Sequence, residues 1–291
     1  MFTGRRIEWS QIFFGTVASL TVVFLCGIFF FLAVIGLGVF AEVPIIEFFF
    51  GTLWNPSAYS APSWGTLSLL LGTIIVSATA LVIVVPLGLS SAIYVSQLAS
   101  PRTREILKPA IEMIASVPSV VLGLLGLLYL APLIAGIFGM TNGLNALTAA
   151  ILVAIAALPT IASICEDALS SVSKRYRDAS YALGATQWMT IRRVIVPSAR
   201  SGLIAAILLG FGRIIGETMI VLMVAGNALA LPRSLLDSVR PMTATIAIEV
   251  KEVVVGSIHW EGLFAIGLSL FVYTFILNLI ADMFIHKRIK A

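Results

Sequence analysis

Six long apolar stretches separated by short polar segments dominate the chain: residues 13–41, 66–96, 110–135, 144–165, 201–226 and 262–285. Each meets the length of about 20 largely apolar residues that a helix needs to cross a bilayer. In hydrocarbon a crossing segment must satisfy its own backbone groups, so these lengths predict helices. A membrane barrel alternates apolar and polar positions; Leu69-Leu70-Leu71 and Phe48-Phe49-Phe50 do not. The first stretch follows Arg5 and Arg6 as in a signal peptide, but it far exceeds the roughly 7–15 residues of a cleavable apolar region, which predicts a retained helix. The pattern describes an all-α integral membrane protein with six transmembrane helices. Residues 1–65 form an N-terminal helix and external loop, 66–285 the membrane core, and 286–291 a tail.

Composition strengthens this picture. Apolar residues make up 59% of the chain and charged residues 11%, against about 25% charged in a soluble domain. Mean hydropathy is +1.07, so much of the surface must face a lipid bilayer. The net charge of +4 is a matter of topology. Fourteen of the eighteen basic residues fall at the N-terminus, in 97–109, in 166–200 and in the tail; only Arg233, Arg240 and Lys251 fall on the opposite side. Cytoplasmic loops carry the excess of Lys and Arg, so both termini are expected to be cytoplasmic and no nucleic acid partner is expected. Cys26 and Cys165 fall at different depths, and no disulfide is expected.

Several kinds of chemistry are missing. There is no G-x-x-x-x-G-K-[ST] loop for ATP. The two histidines, His259 and His286, stand in no H-E-x-x-H arrangement, so no metal site is expected. Gly88-Leu89-Ser90 lacks the second glycine of a G-x-S-x-G elbow. No catalytic residue or cofactor is expected on this chain. A passive channel and an intramembrane enzyme are the readings from other classes.

The loops differ in content. Loop 42–65, with Trp54, Asn55, Pro56 and Trp64, reads as external and close to the bilayer interface. In loop 227–261 the residues Ile246, Ile248, Val250, Val253 and Val254 make the chain apolar enough to fold back. In 166–200, Ser173 is placed to cap a short helix that Gly184 ends in a left-handed conformation. Thr186 is placed to cap a second, closed by Pro197. Six basic residues keep this elbow out of the bilayer, while Tyr176, Leu183 and Trp188 give it an apolar component. Such a segment either lies on lipid headgroups or fits a groove in a cytoplasmic partner.

Within the elbow, Asp178-Ala179-Ser180, then Gly184, then Val194-x-Val196-Pro197 has the spacing of E-A-A-x-x-x-G-x9-I-x-L-P. That signature marks permeases of binding-protein-dependent ABC importers, which this chain resembles; Asp178, Ser180, Val194 and Val196 are mild departures from it. Gly212-Arg213-Ile214-Ile215-Gly216-Glu217-Thr218-Met219, Ile114-Ala115-Ser116-Val117-Pro118-Ser119-Val120-Val121 and Met242-Thr243-Ala244-Thr245-Ile246-Ala247 are similar to the phosphate permeases of PstC type. The resemblance implies a type I ABC importer permease core in the cytoplasmic (inner) membrane, importing inorganic phosphate by alternating access. It implies three kinds of partner: a second, PstA-type permease, two copies of a cytoplasmic ATPase that uses ATP and Mg, and an external phosphate-binding protein. The elbow then docks on the ATPase. Another oxyanion, sulfate or molybdate, is the alternative substrate.

Candidate pathway residues follow. Arg213 and Glu217 are four residues apart within the fifth stretch, so one continuous helix puts them on one face. They read either as an ion pair joining two helices or as an anion route in which Glu217 holds the Arg213 fork. Pro118 and Pro159 are expected to break the third and fourth helices. Such breaks are simple kinks, or they expose N–H groups with Ser116 and Ser119, and with Thr160 and Ser163, beside them.

Overall fold

The computed structural model describes residues 9–289 and, within them, side chains other than those of Ser10, 280–282 and 284–289. Arg5, Arg6 and Lys290, and the side chains of His286, Lys287 and Arg288, therefore lie outside the described part.

In chain order, α1 (Trp9–Gly36) ends in a tight turn and leads to a short α2 (Ile45–Phe50) and a two-residue hairpin, β1 (Trp54–Asn55) with β2 (Ser63–Trp64). Next comes α3 (Leu67–Ile93), extended to Leu98 by a wider turn, and then α4 (Pro101–Ala115). After a break come α5 (Ser119–Leu125) and, across another wide turn, α6 (Ala131–Phe138). The long α7 (Ala146–Ser170) leads into the elbow of α8 (Lys174–Ala182), α9 (Gln187–Thr190) and α10 (Val196–Ser198). The chain closes with α11 (Arg200–Ile215), α12 (Met219–Val224), α13 (Met242–Glu249) and α14 (Ile258–Ile289).

Among the described residues, five helices are long and apolar enough to span: Gln11–Ala41, Leu67–Leu98, Ser119–Phe138, Ala146–Ser170 and Ile258–Leu279. Residues Gln187–Ser198 and Arg200–Ile215, bent by 69° at their junction, qualify as a sixth only when taken together. Three expectations are corrected. The third span starts at Ser119, because Pro118 cannot continue the amphipathic α4 and the chain restarts beyond it. The fifth stretch is interrupted at Gly216–Thr218. Pro159 breaks nothing: it is buried inside α7, which runs unbroken to Ser170 with neighbouring helices packed around it.

The core is built on α7. Ala146, Ala149, Ala150, Val153, Ala157 and Ile161 are buried against α3, α11 and α12. Small side chains let helix axes approach closely where lipid supplies no hydrophobic drive. On the periphery α1 packs on α14, where a Cβ on Gly36 would lie 2.7 Å from the backbone nitrogen of Ala265. A second cluster contains Phe48, Trp54, Trp64, Leu69, Met242 and Leu263. Trp54 and Trp64 are thus buried by the hairpin and α14. Loop 227–261 does fold back: α13 packs against α3, α12 and α14.

Candidate functional site

The elbow has the expected hinge. Gly184 has φ +78°, a conformation that side chains with a Cβ resist. Thr186 accepts a hydrogen bond from the Met189 N–H (3.3 Å) and caps the second arm. Ser173 makes no side-chain cap; its carbonyl accepts from the Tyr176 N–H instead (3.1 Å). The second arm ends at Ser198, one residue past Pro197, and the chain bends by 69° into α11. Ser180 is buried and its hydroxyl meets that of Thr190 at 2.9 Å, tying the arms together. Arg177 and Gln187 bond Gln97 at the end of the α3 extension (2.7 and 3.1 Å). Asp178, Ala179 and Gly184 are exposed, as are Pro197 and the apolar Tyr176, Leu183 and Trp188; Val194 and Val196 are half-buried. The signature residues therefore shape a rigid knob that carries unpartnered apolar side chains.

The pathway residues separate into groups. Arg213, in the last turn of α11, is exposed and donates from Nη1 to the Thr160 hydroxyl on α7 (3.3 Å). Glu217 is not its partner. It lies in the break after α11, where its carboxylate accepts from the Ile220 N–H (3.3 Å) and its carbonyl from the Thr243 hydroxyl (3.1 Å). The helical register needed for an Arg213–Glu217 pair ends at Gly216, and no ion pair joins them among the described residues. Ser116 bonds back to the Met113 carbonyl and ends α4 (2.7 Å), and Ser119 begins α5 half-buried; neither meets Arg213. Ser163 lines a small cavity with Ser91, Lys108 and Glu166.

Two charged clusters escaped the sequence reading. Glu166, buried near the end of α7, pairs with Arg104 and with Lys108 (2.6 Å) on α4, and Ser170 donates to it (2.8 Å). The bond to Glu166, aided by Asp167, holds the Lys108 ammonium above its ordinary value against the opposing effect of burial. The second cluster centres on Glu249 at the end of α13. Its carboxylate accepts from Trp54 Nε1 and His259 Nε2, each at 2.9 Å, and from Arg240 Nη1 at 2.9 Å. Burial alone pushes this carboxyl up, but His259, Trp54 and Arg240 together hold it below the usual carboxylate range. In sequence Glu166 merely opens the polar segment that follows the fourth apolar stretch, and nothing local joins Trp54, 195 residues away, to Glu249.

Residues 84–290 match the family of binding-protein-dependent transport system inner membrane components. The chain belongs to that family. This permease is 37% identical over 243 residues to the probable ABC transporter permease protein YqgH of Bacillus subtilis, covering 84% of this chain and 78% of that one. It is 35% identical over 247 residues to the phosphate transport system permease protein PstC of Mesorhizobium japonicum (78% and 74% covered). Among solved structures, a bacterial importer of the acidic polysaccharide alginate shares the fold at TM-score 0.65 and 13% identity, over 97% of both chains. The inward-facing MetNI methionine transporter does so at TM-score 0.57 and 19% identity, over 77% of the permease and 94% of that chain.

Proposed function

We propose that this permease carries inorganic phosphate inward by alternating access, paired with a PstA-type permease, two cytoplasmic ATPase subunits and an external phosphate-binding protein. The observation that carries the substrate reading is the Arg213 guanidinium: it is exposed, free of any carboxylate among the described residues, and held by one 3.3 Å bond to Thr160. A planar fork of donors suits phosphate oxygens, and a basic group in an apolar span costs about 2.5–3.5 kcal/mol, so its presence needs a reason. The PstC relatives support the same substrate. ATP and Mg act on the partner ATPase, which reads the elbow through its exposed Tyr176, Leu183 and Trp188.

Phosphate uptake normalised to assembled complex is the test. Arg213→Gln should lower uptake about tenfold or more, the worth of one charged hydrogen bond, with assembly largely intact, and Arg213→Lys should fall between. Because Glu217 is not paired with Arg213, the Arg213→Gln/Glu217→Gln variant should not regain uptake; recovery would sink the assignment. Sulfate or molybdate uptake without phosphate uptake by the parent protein would assign the other oxyanions.

A further inference from the structure

The Glu249 cluster serves no step described so far. It joins four separate segments: the β1–β2 hairpin through Trp54 and Ser57, the strand-like run at Arg240, the end of α13, and the start of α14 through His259. Arg240 also donates from Nε to the Asn227 carbonyl (3.1 Å), just beyond α12, and Asn227 holds φ +58°. Beside the cluster lies an open cavity of about 470 Å³ lined by Ser57, Arg240, Glu249, Glu252, Val254 and His259. The cluster therefore fixes α13 and the end of α12 to the hairpin and α14, and the cavity leaves it within reach of water.

The hydrogen bonds determine the imidazole tautomer. An ionised carboxylate only accepts, so His259 Nε2 must carry a proton at 2.9 Å from Glu249. In the neutral ring Nδ1 is then a lone pair facing the Ser57 hydroxyl at 3.5 Å, and Ser57 must donate to it. Protonation at Nδ1 reverses this bond, so that Ser57 accepts, and it adds a positive charge beside Glu249. The hairpin offers neutral Ser57 and Trp54, the α13 side offers Glu249, Glu252 and Arg240, and Lys251 is exposed. On α14 itself the nearest acid is Glu261, whose carboxylate turns toward Gly38.

We propose that Glu249 is a positioning residue for one end of the transport path, and that His259 makes its grip proton-dependent, tightening as that side acidifies. This rests on the transport reading above and on the orientation read from the basic residues, which puts the cluster on the external side. In the acid state the hairpin, α13 and α14 are joined by a charged bond, and any outward opening that moves α12 against α13 is slowed.

The test uses the assembled transporter in proteoliposomes, in a background with Cys26 and Cys165 replaced. Val253→Cys, half-buried on the cavity wall, and Ser60→Cys, on the hairpin away from it, are labelled with an impermeant maleimide from about pH 5 to about pH 8. The ratio of the two rates cancels thiol ionisation. It should fall about fivefold or more toward acid pH in the parent, the size of a modest coupling, and stay flat in both His259→Gln and Glu249→Gln. A flat ratio in the parent, or a response retained in His259→Gln, would overturn the latch. Phosphate uptake should fall toward acid pH more steeply in the parent than in His259→Gln, since phosphate's own ionisation acts on both alike. Identical uptake profiles overturn the coupling to transport, while the parent's uptake at about pH 8 tests the transport reading by itself.

Discussion

Gly184 shows what one backbone angle does here. At φ +78° a β-branched residue is strained by about 1–3 kcal/mol, and no neighbour lies close enough to crowd an added Cβ. The cost is conformational, so it acts on the turn between the arms. Gly184→Val should break the Ser180–Thr190 contact and misplace Leu183 and Trp188. Co-purification of the ATPase should weaken, or its stimulated hydrolysis should be lost, while the membrane part still assembles; normal values of both would count against the knob as a docking element. Gly184 and Thr186 were legible in the sequence, because positive φ and N-caps are written in single residues. The partner of Glu217 was not, because Gly216, Glu217 and Thr218 are too few to end an apolar run averaged over about 20 residues.

Among the elements, α4 is the one that sequence periodicity misplaced. Its apolar positions continue without a gap into α5, and only Pro118 marks where one helix ends and the next begins. No residue of α4 is fully buried, so charge at Glu166 fastens it to α7. Replacing Glu166 with Gln should cost about 2 kcal/mol, between the ~0–1 of an exposed pair and the ~3–5 of a fully buried one, because Arg104 and Lys108 remain partly exposed. Thermal unfolding of the detergent-solubilised complex measures it. The linkage has a definite sign. A raised Lys108 value means that its contribution is complete below the ordinary lysine range of about 10.4 and fades only as pH rises past the folded value. The stability gap between parent and Glu166→Gln should therefore be level through neutral pH and narrow at the extremes, under strong alkali as Lys108 loses its proton and under strong acid as the carboxylate gains one.

For the molecule as a whole, the sequence carried the helical class, five of the six expected crossings as long apolar helices and the fold-back of loop 227–261, because length and hydropathy are additive along the chain. It did not carry the pairing of hairpin, α13 and α14, which joins residues far apart in sequence. Sidedness has a direct test. Single cysteines at Ser60→Cys and Asn142→Cys should react with an impermeant reagent in intact cells, and Ser173→Cys only after permeabilisation. All three positions are exposed in the fold, so burial cannot imitate the result. Labelling at Ser173→Cys in intact cells would invert the orientation read from the basic residues.

On that orientation α7 points the positive end of its macrodipole outward, where a free helix terminus would draw anions. Its first donors are already occupied. The Ala146 N–H is bonded to the Asp237 carbonyl (3.0 Å), that of Leu147 to the Leu235 carbonyl (2.8 Å), and that of Thr148 to the Asn145 side chain (2.9 Å). Asp237 holds this lid in place by accepting from the Arg233 and Ser234 N–H groups (2.6 and 2.9 Å). On the proposed anion route, the terminus of α7 thus offers an arriving anion no free N–H group, so that capture falls to side chains such as the Arg213 fork.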